Sequence, residues 1–312
     1  MRSYIIHRLL HLIPVLIGIT FLSFGLMHTV TTDTVDLLYE QNGASQAAIT
    51  ARKLALGLNK DFLGQYSDWV LRILHGDMGL SFVSNEPVSQ LIAAKLPATL
   101  ELMCLALILT LAVSLPLGMA AAVRKGSLWD QAVRLLSFTG NSLPDFFIGI
   151  VLLYVFAVKW PIFSFFSAGT SALPILPALT LAIAMSAKYM RQIRAVVLDE
   201  LNQPYVQAAL ARGVPRHYVL SHYVLRAVLA PLLALLALSA GSLLGGAAIV
   251  ESIFLWDGLG KLAVDSILLR DYPVIQAYVI WMSLIYVTIN LLSDIVCGLV
   301  DPRISRHKGD DD

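Results

Sequence analysis

Few residues in this chain have the type and spacing that chemistry requires. Gly258-Leu259-Gly260-Lys261-Leu262 has the composition of a phosphate loop. A backbone cradle for phosphate needs G-x-x-x-x-G-K-[ST], with the hydroxyl on Mg²⁺, and here both the spacing and the hydroxyl are missing. Neither a G-x-S-x-G nucleophile turn nor an H-E-x-x-H zinc helix occurs, which removes a membrane-embedded hydrolase from consideration. Among the seven histidines, His7 and His11 share a helix face and His217 and His222 share one link. Without a third ligand they read as interfacial or packing residues, and no metal site is expected. Cys104 and Cys297 lie in apolar runs with no C-x-x-C neighbour, so they read as lipid-facing or packing residues. Four ionisable groups remain inside or beside apolar runs: Glu101, Asp145, Lys188 and Asp294. Such groups cost free energy in lipid unless they face a cavity or a partner, which makes them candidates for a translocation path. Asp145, directly after Pro144, is the best placed. Glu101 and Lys188 sit near span ends, where snorkelling suffices.

The elements that would position these groups are set by composition. Of 312 residues, 57% are hydrophobic and 14% charged, the mean hydropathy is +0.74 and the formal charge is +1. This is an all-α, polytopic membrane chain of about six spans, because a helix needs about 20 apolar residues to cross a hydrocarbon core. The expected spans are 9–30, 98–123, 135–158, 173–190, 227–250 and 274–300. Arg2 and Arg8 before the first run imitate a signal peptide, but the run is long enough to span and no small-x-small site closes it. Pro144 and Pro177 are expected to kink or start helices. Trp129, Trp160, Trp256, Tyr272 and Trp281 fall near span ends, as interfacial anchors do.

Lysine and arginine in the short links set the orientation. Arg2 and Arg8, then Arg124, Lys125 and Arg134, then the link 191–226, then Arg303, Arg306 and Lys308 all fall on one side. That side is expected to be cytoplasmic, with both termini inside. The long segment 31–97 is then extracytoplasmic. Its Leu54, Leu56, Leu58, Phe62, Tyr66, Trp69, Val70, Ile73 and Leu74 recur partly at helical spacing, which predicts amphipathic helices packed on the membrane domain. Trp256, Asp271 and Tyr272, in external segments, are candidates for a gate or a receptor-docking surface.

The link 191–226 is the most informative stretch. Asn202 is expected to cap a helix that opens at Pro204 and runs to Arg212. Gly213 stops it in a left-handed conformation, and Pro215 opens a second helix through Leu225. Ala208, Ala209 and Ala211 leave one side of the first helix small enough for another protein to approach. The same spacing also fits a solvated amphipathic connector.

The run Gln207-Ala208-Ala209, with Gly213 further on, resembles the EAA loop by which permease subunits of ATP-binding-cassette importers dock on their ATPases. Gln207 stands where that loop usually has Glu. Arg226 after Leu225, where the general motif has Pro, is similar to the peptide and nickel branch. Gly76-Asp77-Met78-Gly79-Leu80-Ser81, Leu96-Pro97-Ala98-Thr99-Leu100-Glu101, the pair Arg191 and Arg194, Glu251-Ser252-Ile253-Phe254, Arg270-Asp271-Tyr272-Pro273-Val274-Ile275-Gln276 and Asp301-Pro302-Arg303 resemble the same branch. Asp257 departs from it, replacing a proline before Gly258. So does Thr31-Thr32-Asp33-Thr34, which stands where many peptide permeases carry Pro-Gly-Asp-Pro. That second departure, the Arg270 to Pro273 segment and the basic tail turn the resemblance toward nickel or metal-chelate permeases.

The resemblance implies a type I importer permease fold, with 1–312 as one transmembrane domain and 191–226 as its coupling loop. Gln207, Ala208, Ala209, Arg212, Gly213 and Arg216 would meet the ATPase. It also implies a second homologous permease, two cytoplasmic ATPase subunits that bind ATP and Mg²⁺, and an extracytoplasmic binding protein. This chain would hold no cofactor, bind no nucleic acid, and sit in lipid of the bacterial inner membrane. A stand-alone channel or ion-coupled carrier would call for paired intramembrane charges or matched broken helices in two halves. Neither is clear in the sequence, and that class leaves the elbow unexplained.

Overall fold

The computed structural model describes residues 13–28, 47, 50, 60–160 and 174–300. In chain order its helices are α1 (Ile13–His28), α2 (Phe62–Leu74), α3 (Val88–Val123), α4 (Leu128–Ser142) and α5 (Asp145–Leu153). Then come α6 (Ile175–Leu201), α7 (Pro204–Ala211), α8 (Arg216–Tyr218), α9 (Leu225–Ile253), α10 (Leu259–Leu269) and α11 (Tyr272–Val300). Single π-helical stretches follow α5 at Tyr154–Lys159 and join α8 to α9 at Val219–Val224. The chain divides into two compact units, Met1–Pro97 with Leu262–Val287, and Ala98–Lys261 with Thr288–Asp312.

Helices stand at all six expected span positions, although their apolar lengths differ. Among the described residues, α3 and the segment Tyr272–Ser293 are long and apolar enough to cross a membrane. The third expected span qualifies only as the pair α4 and α5, which meet at 99°. Pro144 is expected to kink or start a helix, and it starts one, directly past the break. Proline cannot donate an amide and disfavours helical backbone at the residue before it. Leu143 is accordingly extended (φ −92°, ψ 134°), and Pro144 starts the next helix from its N-cap. Pro177 costs nothing, since it falls in the first turn of α6, where amides have no helical acceptor. The second span begins earlier than expected, because Val88 to Pro97 is already helix.

In the first unit, the amphipathic reading of the external segment holds for α2. Trp69 is buried with Phe24 and Ile280, and Phe62, Tyr66, Val70 and Ile73 pack around them. Thr20 Oγ1 lies 3.1 Å from Tyr66 Oη. Leu74 remains exposed, and Leu54, Leu56 and Leu58 lie outside the described residues. In the second unit α6 is the central helix, in contact with α4, α5 and α9. Gly118 and Gly140 let α3 and α4 close on it. A Cβ at Gly118 would lie 3.0 Å from the Met190 carbonyl oxygen, and one at Gly140 would lie 2.8 Å from Ala187 Cβ.

Candidate coupling site

The elbow forms as a helix-turn-helix, with its details shifted from the sequence reading. Asn202 does not cap α7. It closes α6, its Nδ2 donating to the Leu198 carbonyl at 2.9 Å, and Gln203 is the N-cap of α7. Pro204 at the first helical position explains the shift, because the residue before it is held extended and must lie outside the helix. Helix α7 ends at Ala211, with Arg212 as its C-cap. Gly213 is left-handed (φ +82°), as expected. Its amide donates to Leu210 O at 3.0 Å and that of Val214 to Ala209 O at 3.1 Å. This pair of bonds is a Schellman closure, which satisfies the last carbonyls of the helix. The return segment does not end at Leu225. It passes through the π-helical stretch directly into α9.

The docking face of α7 differs from the sequence expectation. Val206 and Ala209 are buried in a core with Tyr189, Ile193, Val197, Val219, Val224 and Val228. Ala209 therefore faces its own chain, and the surface α7 offers to a partner is Gln207, Ala208, Ala211 and Arg212, all exposed. Gln207 braces the elbow through Nε2, which donates to Leu201 O at 2.7 Å. Arg216 Nη2 donates to Val123 O at 3.3 Å, which ties the elbow to the end of α3. An elbow fixed to α3, α6 and α9 can pass a push at its outer face to three long helices.

A second tie at this end escaped the sequence reading. Asp130 is almost fully buried and accepts a fork from Arg194, with Nε to Oδ1 at 2.5 Å and Nη2 to Oδ2 at 2.9 Å. Ser127 Oγ caps the Asp130 amide at 3.2 Å, and Asp130 Oδ2 accepts the Gly126 amide at 3.0 Å. The S-x-x-D spacing before an apolar run was the available signal. The Arg194 fork pulls the Asp130 carboxyl down to about 2, against burial and with help from the Gly126 amide. A carboxyl depressed on folding contributes stability that is complete above its unfolded value of about 4 and is lost as pH falls through about 2. Arg194→Lys replaces the fork with a point charge. We expect it to lower the melting temperature of the detergent-solubilised chain by the same amount across about pH 6 to 8. A loss that varies over that range would contradict the assignment.

The remaining motifs meet in pairs, far apart in sequence. Glu251, without exposed surface, accepts from Thr99 Oγ1 at 2.7 Å and from the Lys261 amide at 3.0 Å, while Thr99 Oγ1 accepts from the Leu259 amide at 2.7 Å. The first turn of α10 thus ends on a buried carboxylate and a hydroxyl, where the helix dipole favours negative charge. A Cβ at Gly258 would lie 2.5 Å from a Glu251 oxygen, so any side chain there displaces this carboxyl group. In the other unit, Asp271 accepts from Ser81 Oγ and, at 3.0 Å, from the Phe82 amide. Gly76 and Gly79, both left-handed, shape the turn that presents Ser81.

These pairings revise the external candidates. Asp271 and Tyr272 are buried (4% and 7% exposed), so neither offers a docking surface, and Tyr272 is no interfacial anchor. Trp256 is half-buried, and its Nε1 donates to Ala98 O at 2.9 Å. Glu101 and Lys188 are exposed, and Asp145 is half-buried. Asp294 lies in α11. His217 and His222 are exposed, with His222 stacked on Tyr218 at 4.0 Å. His7, His11 and Asp301-Pro302-Arg303 lie outside the described residues.

Residues 114–306 match the family described as binding-protein-dependent transport system inner membrane component, and residues 1–103 match the N-terminal region described for such membrane components. The oligopeptide transport system permease protein AppB of Bacillus subtilis is 39% identical, over 97% of this chain and 99% of its own length. The nickel import system permease protein NikB of Staphylococcus aureus is 38% identical, over 96% of this chain and 90% of its own. The dipeptide transport system permease protein DppB of Escherichia coli is 34% identical, over 99% of this chain and 100% of its own. With the elbow and the paired motifs on an apolar helical frame, these matches show that the chain belongs to the inner membrane components of binding-protein-dependent transport systems, as a multi-pass permease subunit of an ATP-binding-cassette importer that has no ATPase site of its own.

Proposed function

We propose that this subunit forms half of the translocation pathway for nickel or another chelated transition metal. A second, homologous permease supplies the other half. Two cytoplasmic ATPases bind ATP and Mg²⁺ and move the elbow, and an extracytoplasmic binding protein delivers the cargo. The observation that carries the metal reading is the 38% identity to a nickel import permease, taken with Thr31-Thr32-Asp33-Thr34 in place of the peptide-type turn. Among the described residues no group of three or more His, Cys, Asp or Glu side chains could hold a metal ion. A chelate passing through needs no such group.

Import of di- or oligopeptides is the second reading, favoured by 39% identity to an oligopeptide permease. The two separate in proteoliposomes holding the whole complex and its binding protein. A nickel chelate is expected to stimulate ATP hydrolysis and a dipeptide is not. Stimulation by the dipeptide alone would transfer the assignment to peptides.

A further inference from the structure

The break between α4 and α5 presents a carboxylate. Backbone irregularity within a membrane-spanning segment is tolerated where protein or a cavity covers it, and broken spans in transporters hold their cargo at the break. Asp145 is the first residue of α5, directly past the 99° bend. It is half-buried and makes no hydrogen bond or ion pair with any other described residue. Opposite it stands α9 with the pair Gly245-Gly246. A Cβ at Gly246 would lie 3.0 Å from Asp145 Oδ2 and 3.8 Å from Leu181 Cδ2. The glycine leaves the carboxylate its seat beside Leu181, and no cationic side chain among the described residues pairs with it. An ionised group in a span without a partner is costly, and the cost is relieved when a cation arrives.

We propose that Asp145 is the cargo-recognition carboxylate of this half of the pathway, taking the positive charge of the passing ligand. That charge is either the ammonium group of a peptide or the metal centre of a chelate. The inference rests on the importer reading and deepens it by naming the residue that meets the cargo.

The test uses the reconstituted complex with its binding protein, a free-amino dipeptide and a nickel chelate as separate cargoes, and uptake measured per ATP hydrolysed. For the class that the wild type transports, Asp145→Asn is expected to lower uptake per ATP about tenfold, the scale of one lost charge-assisted contact. Stimulation of hydrolysis by the loaded binding protein should stay within about twofold, and Asp145→Glu should restore uptake to within about threefold. Gly246→Leu, which fills the seat from the other helix, should reproduce the Asn phenotype. Unchanged uptake per ATP in Asp145→Asn overturns the assignment and leaves the importer standing. Loss of hydrolysis and uptake together, unrescued by Glu, makes Asp145 a packing residue and overturns it as well. A wild type that moves neither cargo contradicts the cargo reading, and this assignment with it.

Discussion

Glu251→Ala is expected to remove most of the folded subunit from the membrane. The side chain has no exposed surface, and its carboxylate holds the Thr99 hydroxyl and the Lys261 amide together. A buried hydrogen bond contributes about 0.5–1.5 kcal/mol net, and a donor left buried without its acceptor costs about 1–3 kcal/mol. Truncation orphans two donors and opens a cavity, for a loss of about 3–5 kcal/mol. A domain's whole stability is only about 5–15 kcal/mol. Glu251→Gln keeps the shape but offers one acceptor instead of two oxygens, so an intermediate loss is expected. The measurement is the amount of subunit in the membrane together with its melting temperature after solubilisation. Normal abundance and melting in the Ala variant would show that the α10 terminus does not depend on this carboxylate.

Gly213→Val is expected to leave insertion and abundance nearly unchanged and to cut uptake and cargo-stimulated ATP hydrolysis sharply. At φ +82° a β-branched side chain costs roughly 1 kcal/mol or more. A Cβ there meets nothing within 4 Å of its own chain, so the strain falls on the Schellman closure. Losing that closure frees the Leu210 and Ala209 carbonyls and changes the angle at which α7 presents Ala208, Ala211 and Arg212. Substitution of Ala209 would confuse the test, because Ala209 packs against its own chain. Ala208→Trp fills the exposed face and should match Gly213→Val. Wild-type transport by both variants in a fully assembled complex would reduce the elbow to an ordinary connector.

The two results draw on different layers of the sequence. The elbow was legible because glycine and proline act locally: Gly213 requires left-handed backbone and Pro204 a helix start. The face of α7 was not, because inward or outward depends on what lies beneath it, here Val219 and Val224 from the return segment. The motifs around Thr99, Glu251, Ser81 and Asp271 stood out individually, but one sequence does not say which distant motifs touch. The turns after α9 and α10 were hidden for another reason. Leu255 (φ 53°) and Arg270 (φ 58°) take the left-handed position that usually calls for glycine. The π-helical stretches leave no residue signature at all.

On the proposed function, ATP hydrolysis reaches this subunit at the outer face of α7. Cross-linking from single cysteines in a Cys104→Ser, Cys297→Ser background tests it most directly, in a complex that hydrolyses ATP. Ala208→Cys and Ala211→Cys are predicted to form cross-links to the ATPase whose yield changes with the nucleotide present, whereas Ala209→Cys forms none. An actively hydrolysing complex in which neither exposed position cross-links to the ATPase, in any nucleotide state, would contradict the claim.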